Sequence, residues 1–242
     1  LMASRLKPNT ISTYMRMLRS IYNRGVDMHQ APYVHGLFRD VFTGVDTRQK
    51  KAIPLGELHM LLNKDPQSEK LRRTQAIANL LFQFCGMPFS DLAHLEKSNL
   101  KQGLLKYNRL KTGTPMSIEV LESAHNAIGG LYNKTDARSP DYPDYLFRIL
   151  SGAYKRDEEE AYREYQSALR RFNNDLKSLS RKLRISSSVT SYTLRHSWAT
   201  TAKYRGVPIE MISESLGHKS IKTTQIYLSL IHISEPTRPR LI

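Results

Sequence analysis

The sequence predicts a mainly α-helical protein with a small antiparallel β-sheet, organised as a large domain behind a smaller helical one. Three observations carry that expectation. Apolar residues recur at helical spacing through most of the chain. The stretch 103–120 changes instead to strand-like alternation. A polar, basic run, Asp46-Thr-Arg-Gln-Lys-Lys51, separates a short first portion from the remainder, as interdomain linkers do.

In order along the chain, residues 10–24 form an amphipathic helix. Thr10 caps it, and Ile11, Tyr14, Met15, Leu18, Ile21 and Tyr22 share one face. Lys7, Arg16 and Arg19 lie on or near the other side, suited to DNA and equally to water. Residues 44–52 are the linker, and Pro54 opens a helical pattern that runs through Leu62. A helix over 69–85 stops at Gly86, and Ser90 caps a short helix over 91–96. Leu104, Leu105, Tyr107 and Leu110 precede Lys111-Thr-Gly-Thr-Pro115, after which Met116-Ser-Ile-Glu-Val120 alternates, giving a hairpin that turns near Gly113. Helices follow at 121–132, at 158–183 with strong charge, and at 193–205, 208–216 and 220–228, punctuated by Gly206, Pro208 and Gly217. The domains expected are therefore 1–47 and 52–227. The stretch Leu228-Ser-Leu-Ile-His-Ile-Ser-Glu-Pro-Thr-Arg238 resembles the translation of a sequencing-library transposon adapter, so 228–242 reads as a non-native tail and 1–47 as part of a longer domain.

The charge balance narrows the partner. Among 242 residues, 37 Lys and Arg face 22 Asp and Glu, a net charge of +15. Such an excess suits a polyanion, because each phosphate neutralised releases a counterion; nucleic acid leads, with an anionic membrane surface behind it. The longest apolar stretch, Ala76 to Met87, is too short to span a bilayer and is broken by Asn79 and Gln83. Residues 1–10 lack the apolar core of a signal peptide. The single cysteine, Cys85, forms no internal disulfide, fits a reducing cytoplasm and reads as a packed thiol. No Cys/His cluster has metal-ligand spacing, and no glycine-rich phosphate loop is present.

Chemistry concentrates near the end of the chain. Thr193-Leu194-Arg195-His196-Ser197-Trp198-Ala199-Thr200 is followed by Leu216-Gly217-His218 and then Thr223-Thr224-Gln225-Ile226-Tyr227. This ordered set resembles the tyrosine recombinase, or phage integrase, family, with its Arg-His pair, its Leu-Gly-His and a tyrosine nine residues beyond. The resemblance spans roughly residues 50–227, residues 7–25 resemble the end of the family's DNA-gripping (core-binding, SAM-like) helical domain, and the wording of 195–227 is most like integrases of conjugative and mobilisable elements.

The resemblance implies roles that the residue types can perform. Cutting DNA without losing its bond energy needs a covalent phospho-enzyme, and the Tyr227 phenol can supply one. The transition state carries extra negative charge, which the planar fork of Arg195 can grip at two oxygens. His218 holds the phosphate or moves the proton, and Lys111, on a hairpin turn after Arg109, protonates the departing 5′ oxygen. No metal or cofactor is implied. The partners implied are double-stranded DNA, three further protomers in a homotetramer on synapsed sites, and DNA-bending accessory proteins, with no membrane and a cytoplasmic, nucleoid-associated location.

Each residue also has a plainer reading. Tyr227 is one of 13 tyrosines and fits a helix core. His218 follows a helix-ending glycine and suits a cap; Lys111 suits a solvated turn; Arg195 and His196 could bind any phosphate or a carboxylate. Their joint order favours function. The chain departs from the family pattern twice: Pro88 follows Gly86-Met87 where a first arginine is usual, and Tyr192 stands where His or Lys is usual. Asp91 is retained as a supporting residue, and Arg109, Arg72 or Arg73 could supply the missing cation, with His196 also at hand. Three other readings compete: a recombinase relative that binds DNA without cutting, a helix-turn-helix regulator built on 193–216, and a type IB topoisomerase.

Overall fold

The computed structural model describes residues 6–44 and 52–229, with backbone alone for Ile226, Tyr227 and Ser229. The expected linker core at 45–51 and the expected tail from residue 230 lie outside the described residues. By internal packing the chain divides into two units, Leu1–Gln49 and Lys50–Ile242.

In the first unit, helix α1 runs Pro8–Asp27. It begins two residues before the expected cap because Pro8 sits in the first turn, where its missing N–H has no helical partner to lose. The Lys7 carbonyl accepts from the Thr10 and Ile11 amides in place of a Thr10 cap. The chain then folds back on the helix at two points. Ser12 Oγ donates to the Gly44 carbonyl at 2.6 Å, and the Tyr22 hydroxyl donates to Pro32 O at 2.9 Å while accepting from Val34 N. Between those ties the expected apolar face stays uncovered within the unit, leaving Tyr14, Leu18 and Ile21 exposed. Lys7, Arg16 and Arg19 are exposed as well.

The second unit is built around α3 (Glu69–Gln83), whose buried Thr74, Ile77, Ala78 and Leu81 repeat at the three- and four-residue spacing of one helical face. It packs against α2 (Leu55–Asn63), α5 (Glu122–Leu131), α6 (Glu159–Lys182) and α7 (Ser191–Tyr204). On α6, Ala168, Phe172, Leu176 and Leu179 form the matching apolar face among charged neighbours. α4 is the short helix Phe89–Ala93. It starts earlier than expected because Pro88 takes the capping position, and the Ser90 hydroxyl donates to Asp91 Oδ1 instead of capping.

The sheet has three antiparallel strands in the order β1-β2-β3. The expected hairpin is β2 (Leu104–Asn108) and β3 (Pro115–Glu119), in a register that sets Leu105 opposite Ile118 and buries both. β1 (Leu100–Lys101) adds a strand too short to show periodicity; Gln102 and Gly103, at φ +51° and +74°, make the left-handed turn that joins it to β2. Between α5 and α6 no regular element forms, yet Tyr145, Leu146, Phe147 and Leu150 are buried. This segment is held by isolated bridges, Glu96 to Tyr145 and Tyr132 to Phe147, and by the Leu146 amide donating to Leu95 O at 2.7 Å.

A second, smaller cluster joins α7 to α8 (Ile209–Ser215) and α9 (Ile221–Ser229) through Ala199, Ala202, Ile212, Leu216 and Leu228. α9 ends one residue beyond the expected helix over 220–228, and its buried Leu228 completes the packing. α7 starts at a capping box, with Thr190 and Thr193 each bonding the other's amide through its hydroxyl. Its Ser197 hydroxyl accepts from the Ile53 amide, and Glu57 on α2 accepts from Ser186 and Ser187, which draws its carboxyl down to about 2. Among the described residues no helix is long and apolar enough to cross a membrane.

Phe147 is fully buried in the irregular segment. A Phe147→Ala chain should lose about 3–5 kcal/mol of stability, the range for truncating a packed aromatic. Urea denaturation measures it, and a loss below about 1 kcal/mol would contradict a core role for this segment.

Candidate active site

Two guanidinium groups meet at one backbone oxygen. Arg195 projects from α7 and Arg109 stands at the end of β2, and both are buried. Both donate to the carbonyl of Leu216, Arg195 through Nη2 at 2.5 Å and Arg109 through Nη1. Leu216 is the C-cap of α8, so this oxygen has no partner within its own helix and sits at the negative end of the helix dipole.

Glycines let the chains come this close. After α8 the His218 amide returns to Ser213 O and the Gly217 amide to Glu214 O, a Schellman ending. Gly217 takes φ +63°, and a Cβ there would lie 2.9 Å from Met116 Sδ and 3.0 Å from Arg109 Cδ. Gly86, at φ +65°, ends the turn after α3; a Cβ on it would stand 3.1 Å from Arg195 Cα. Its carbonyl accepts from Arg195 Nη1 at 2.9 Å.

Asp91 lies beneath Arg109, with 2.8 Å between Oδ2 and Nε. The N–H is not aimed at that oxygen, so the contact is Coulombic more than a directed hydrogen bond. Burial pushes the Asp91 carboxyl above the ordinary range, while the charge of Arg109 pulls the other way. Arg109 is therefore placed beside Arg195, although Pro88 stands where a first arginine was expected. Of the three arginines considered, it alone reaches this cluster. Arg72 pairs with Asp65 and Glu69, and Arg73 donates to Arg148 O. Both stand at the far end of α3, with about 15 Å of helix between Arg73 and Gln83.

His218 completes the group. Its Nε2 lies 3.4 Å from Arg195 Nη2, and its Nδ1 lies 2.8 Å from the Thr224 hydroxyl on α9. A guanidinium can only donate, so this geometry leaves Nε2 as acceptor and places the proton on Nδ1, where it points to Thr224. Burial, then the charges of Arg195, Arg109 and Lys111, lower the imidazole to about 4, so it is neutral at pH 7. Lys111 is exposed at the tip of the β2–β3 loop. That loop is closed beneath it by the Arg109 amide to Thr114 O and the Gly113 amide to Arg109 O.

His196 is placed differently. One residue on from Arg195, it projects about 100° around the helix. It is buried with the Tyr192 ring edge-on at 4.7 Å. Tyr227 lies on α9, one turn beyond Thr224; its side chain is outside the described residues. Thr224, the carbonyls of Leu216 and Gly86, and the close approach of Met116 and Arg109 to Gly217 were not assigned from the sequence. A hydroxyl residue six positions after His218 was a legible signal; backbone carbonyls offer none.

Known proteins resemble this chain in sequence and in fold. The family model described as the phage integrase family matches residues 54–232. Tyrosine recombinase XerD of Halalkalibacterium halodurans is 44% identical over 194 residues, covering 74% of this chain and 57% of that protein. A tyrosine recombinase of Thermosipho africanus is 23% identical over 222 residues, 92% of this chain and 72% of the relative. The fold is similar to the Tn1549 transposon integrase in complex with transposon right end DNA (TM-score 0.61, 15% identity, 96% of this chain, 78% of that one). It is also similar to the XerH site-specific recombinase bound to a palindromic difH substrate (TM-score 0.62, 17% identity, 94% and 65%). The chain belongs to the phage integrase family. It is an enzyme of the tyrosine-type, site-specific recombinase class.

Two outcomes follow for the site. An NMR titration should find the His218 midpoint near pH 4. Because the folded value lies below the ordinary 6.5, the stabilisation linked to neutral His218 is complete above pH 6.5 and is lost as pH falls towards 4; an unshifted midpoint would contradict the burial. Gly217→Ala should lose about 1–3 kcal/mol from the left-handed strain alone, measured by urea denaturation.

Proposed function

We propose that this chain cuts and rejoins DNA at specific sites, to integrate or excise a mobile element, through a 3′-phosphotyrosine intermediate on Tyr227. The observation that carries the reading is the convergence of Arg109, Arg195 and a neutral His218 around the Leu216 carbonyl. With exposed Lys111 nearby, three cations and a single carboxylate, Asp91, leave this place positive. Two buried guanidinium groups converge here beside the one Asp91 carboxylate, and a phosphodiester bound between them would add negative charge where both can donate to it.

In this reaction the Tyr227 oxygen forms a bond to phosphorus, and the bond to the 5′ oxygen breaks. The phenolic proton leaves as the attack proceeds; the unprotonated Nε2 of His218 is chemically able to accept it. Arg195 and Arg109 hold the non-bridging oxygens as charge builds, and Lys111 gives the 5′ oxygen its proton. Religation reverses each step, so the bond energy stays in the phosphotyrosine and no nucleotide is consumed. Lys7, Arg16 and Arg19 would hold duplex phosphates. Assembly as a homotetramer on two sites, with DNA-bending accessory proteins, belongs to the same reading.

A second reading has its own support. Pro88 and Tyr192 replace two usual cations, and a recombinase relative with impaired cleavage would still grip DNA. A covalent-adduct assay on nicked attachment-site DNA separates the two.

The parent chain should trap DNA and Tyr227→Phe should not; equal trapping would make the nucleophile assignment wrong. Lys111→Ala should slow cleavage by about 10²–10⁴-fold, the range for losing a general acid. It should recover on DNA with a 5′-bridging sulfur, since a thiolate departs without protonation. No recovery would remove Lys111 from that role.

A further inference from the structure

A second cationic place lies away from these residues, at the opening end of α3. Lys70 and Arg73 on α3, Arg171 on α6 and Arg148 from the irregular segment line a cleft of about 320 Å3. Its apolar lining includes Ile77, Ile149 and the stacked rings of Phe89 and Phe172, whose centroids are 4.8 Å apart. The one carboxylate in the lining, Asp175, is already ion-paired to Lys70 at 2.7 Å. Arg73 spends one nitrogen on the Arg148 backbone carbonyl. Among the described residues no hydrogen bond or ion pair occupies the guanidinium of Arg148 or of Arg171.

We infer that this cleft is a second anion site, taking a phosphate group, borne either by a free nucleotide or by a DNA strand lying outside the cleavage position. Four cations around one concavity, with their only carboxylate committed, repel one another in the empty state. Burial and the charge of Arg148 both lower the Arg73 pKa, the direction expected where cations crowd. A solvated charged face would spread such residues; here two helices and a loop aim them at one opening. Arginine forks match phosphate oxygens in pairs, and the apolar lining offers a surface to a sugar or base. Cleft size points the same way, since it lies within the range of small-ligand pockets.

The inference does not depend on the cleavage reading, and its test is a binding measurement that Tyr227 does not enter. The full chain is compared with an Arg148→Gln/Arg171→Gln double variant; both side chains are exposed, and an unchanged melting temperature checks the fold. Two probes are used: deoxyadenosine monophosphate by calorimetry, and a random-sequence duplex by anisotropy across a salt series. If the phosphate belongs to DNA, the slope of log affinity against log salt should become shallower by about 2, roughly 0.9 for each phosphate no longer neutralised. If it belongs to a nucleotide, monophosphate binding should weaken at least about tenfold with the DNA slope unchanged. Equal nucleotide affinity and equal slope in both proteins overturn the inference.

Discussion

Everything about the site depends on a single carbonyl. Leu216 closes α8, and its oxygen, left over by the helix, receives guanidinium groups from β2 and α7. A helix end, a strand end and the middle of another helix are thereby locked at one point. Burying two guanidinium groups is costly, because each has surrendered water, here largely for backbone carbonyls, Leu216 O for both and Gly86 O for Arg195. Asp91 offsets part of the cost for Arg109, and the helix dipole offsets part for both. A site poised in this way favours a ligand carrying more negative charge than the protein provides.

The same carbonyl explains why histidine and threonine stand where they do. Gly217 must turn left-handed directly after Leu216, and His218 is the first residue able to point back. Thr224, entirely buried, takes the Nδ1 side of the ring, and Nε2 faces Arg195. Because Thr224 belongs to α9, the helix that carries Tyr227 and the imidazole share one hydrogen bond. An imidazole buried beside two cations stays neutral, because a further positive charge there is opposed.

Much of this fold was legible in the sequence, and the exceptions have physical causes. Helix stops at Gly86 and Gly217 were readable because left-handed positions demand glycine. The starts of α1 and α4 were misplaced because Pro8 and Pro88 outweighed nearby hydroxyl residues as starting signals. β1 was too short to show a period, and the segment around Phe147 is a core element with no repeat at all. In the site, the order of Arg195 and Leu216-Gly217-His218 was legible, whereas finding Arg109 rather than Arg72 or Arg73 beside them needed Asp91 and Leu216 in three dimensions. The exposed middle of the α1 apolar face shows the opposite case, a periodic pattern whose cover within its own unit is partial.

The clasp between the two ends of the large unit bears on how the protein is made. Ile53 and Glu57 find their partners only at Ser197, Ser186 and Ser187, 129 to 144 residues later. During synthesis α3 follows α2 at once, and its Gln75 and Asn79 donate to Leu61 O and Leu62 O long before the clasp can close. Closing so large a loop costs only slowly growing entropy, but it cannot happen early. The nascent chain carries α2 unclasped until α7 emerges, so the last bond to the start of the unit waits upon the arrival of its arginine-bearing helix.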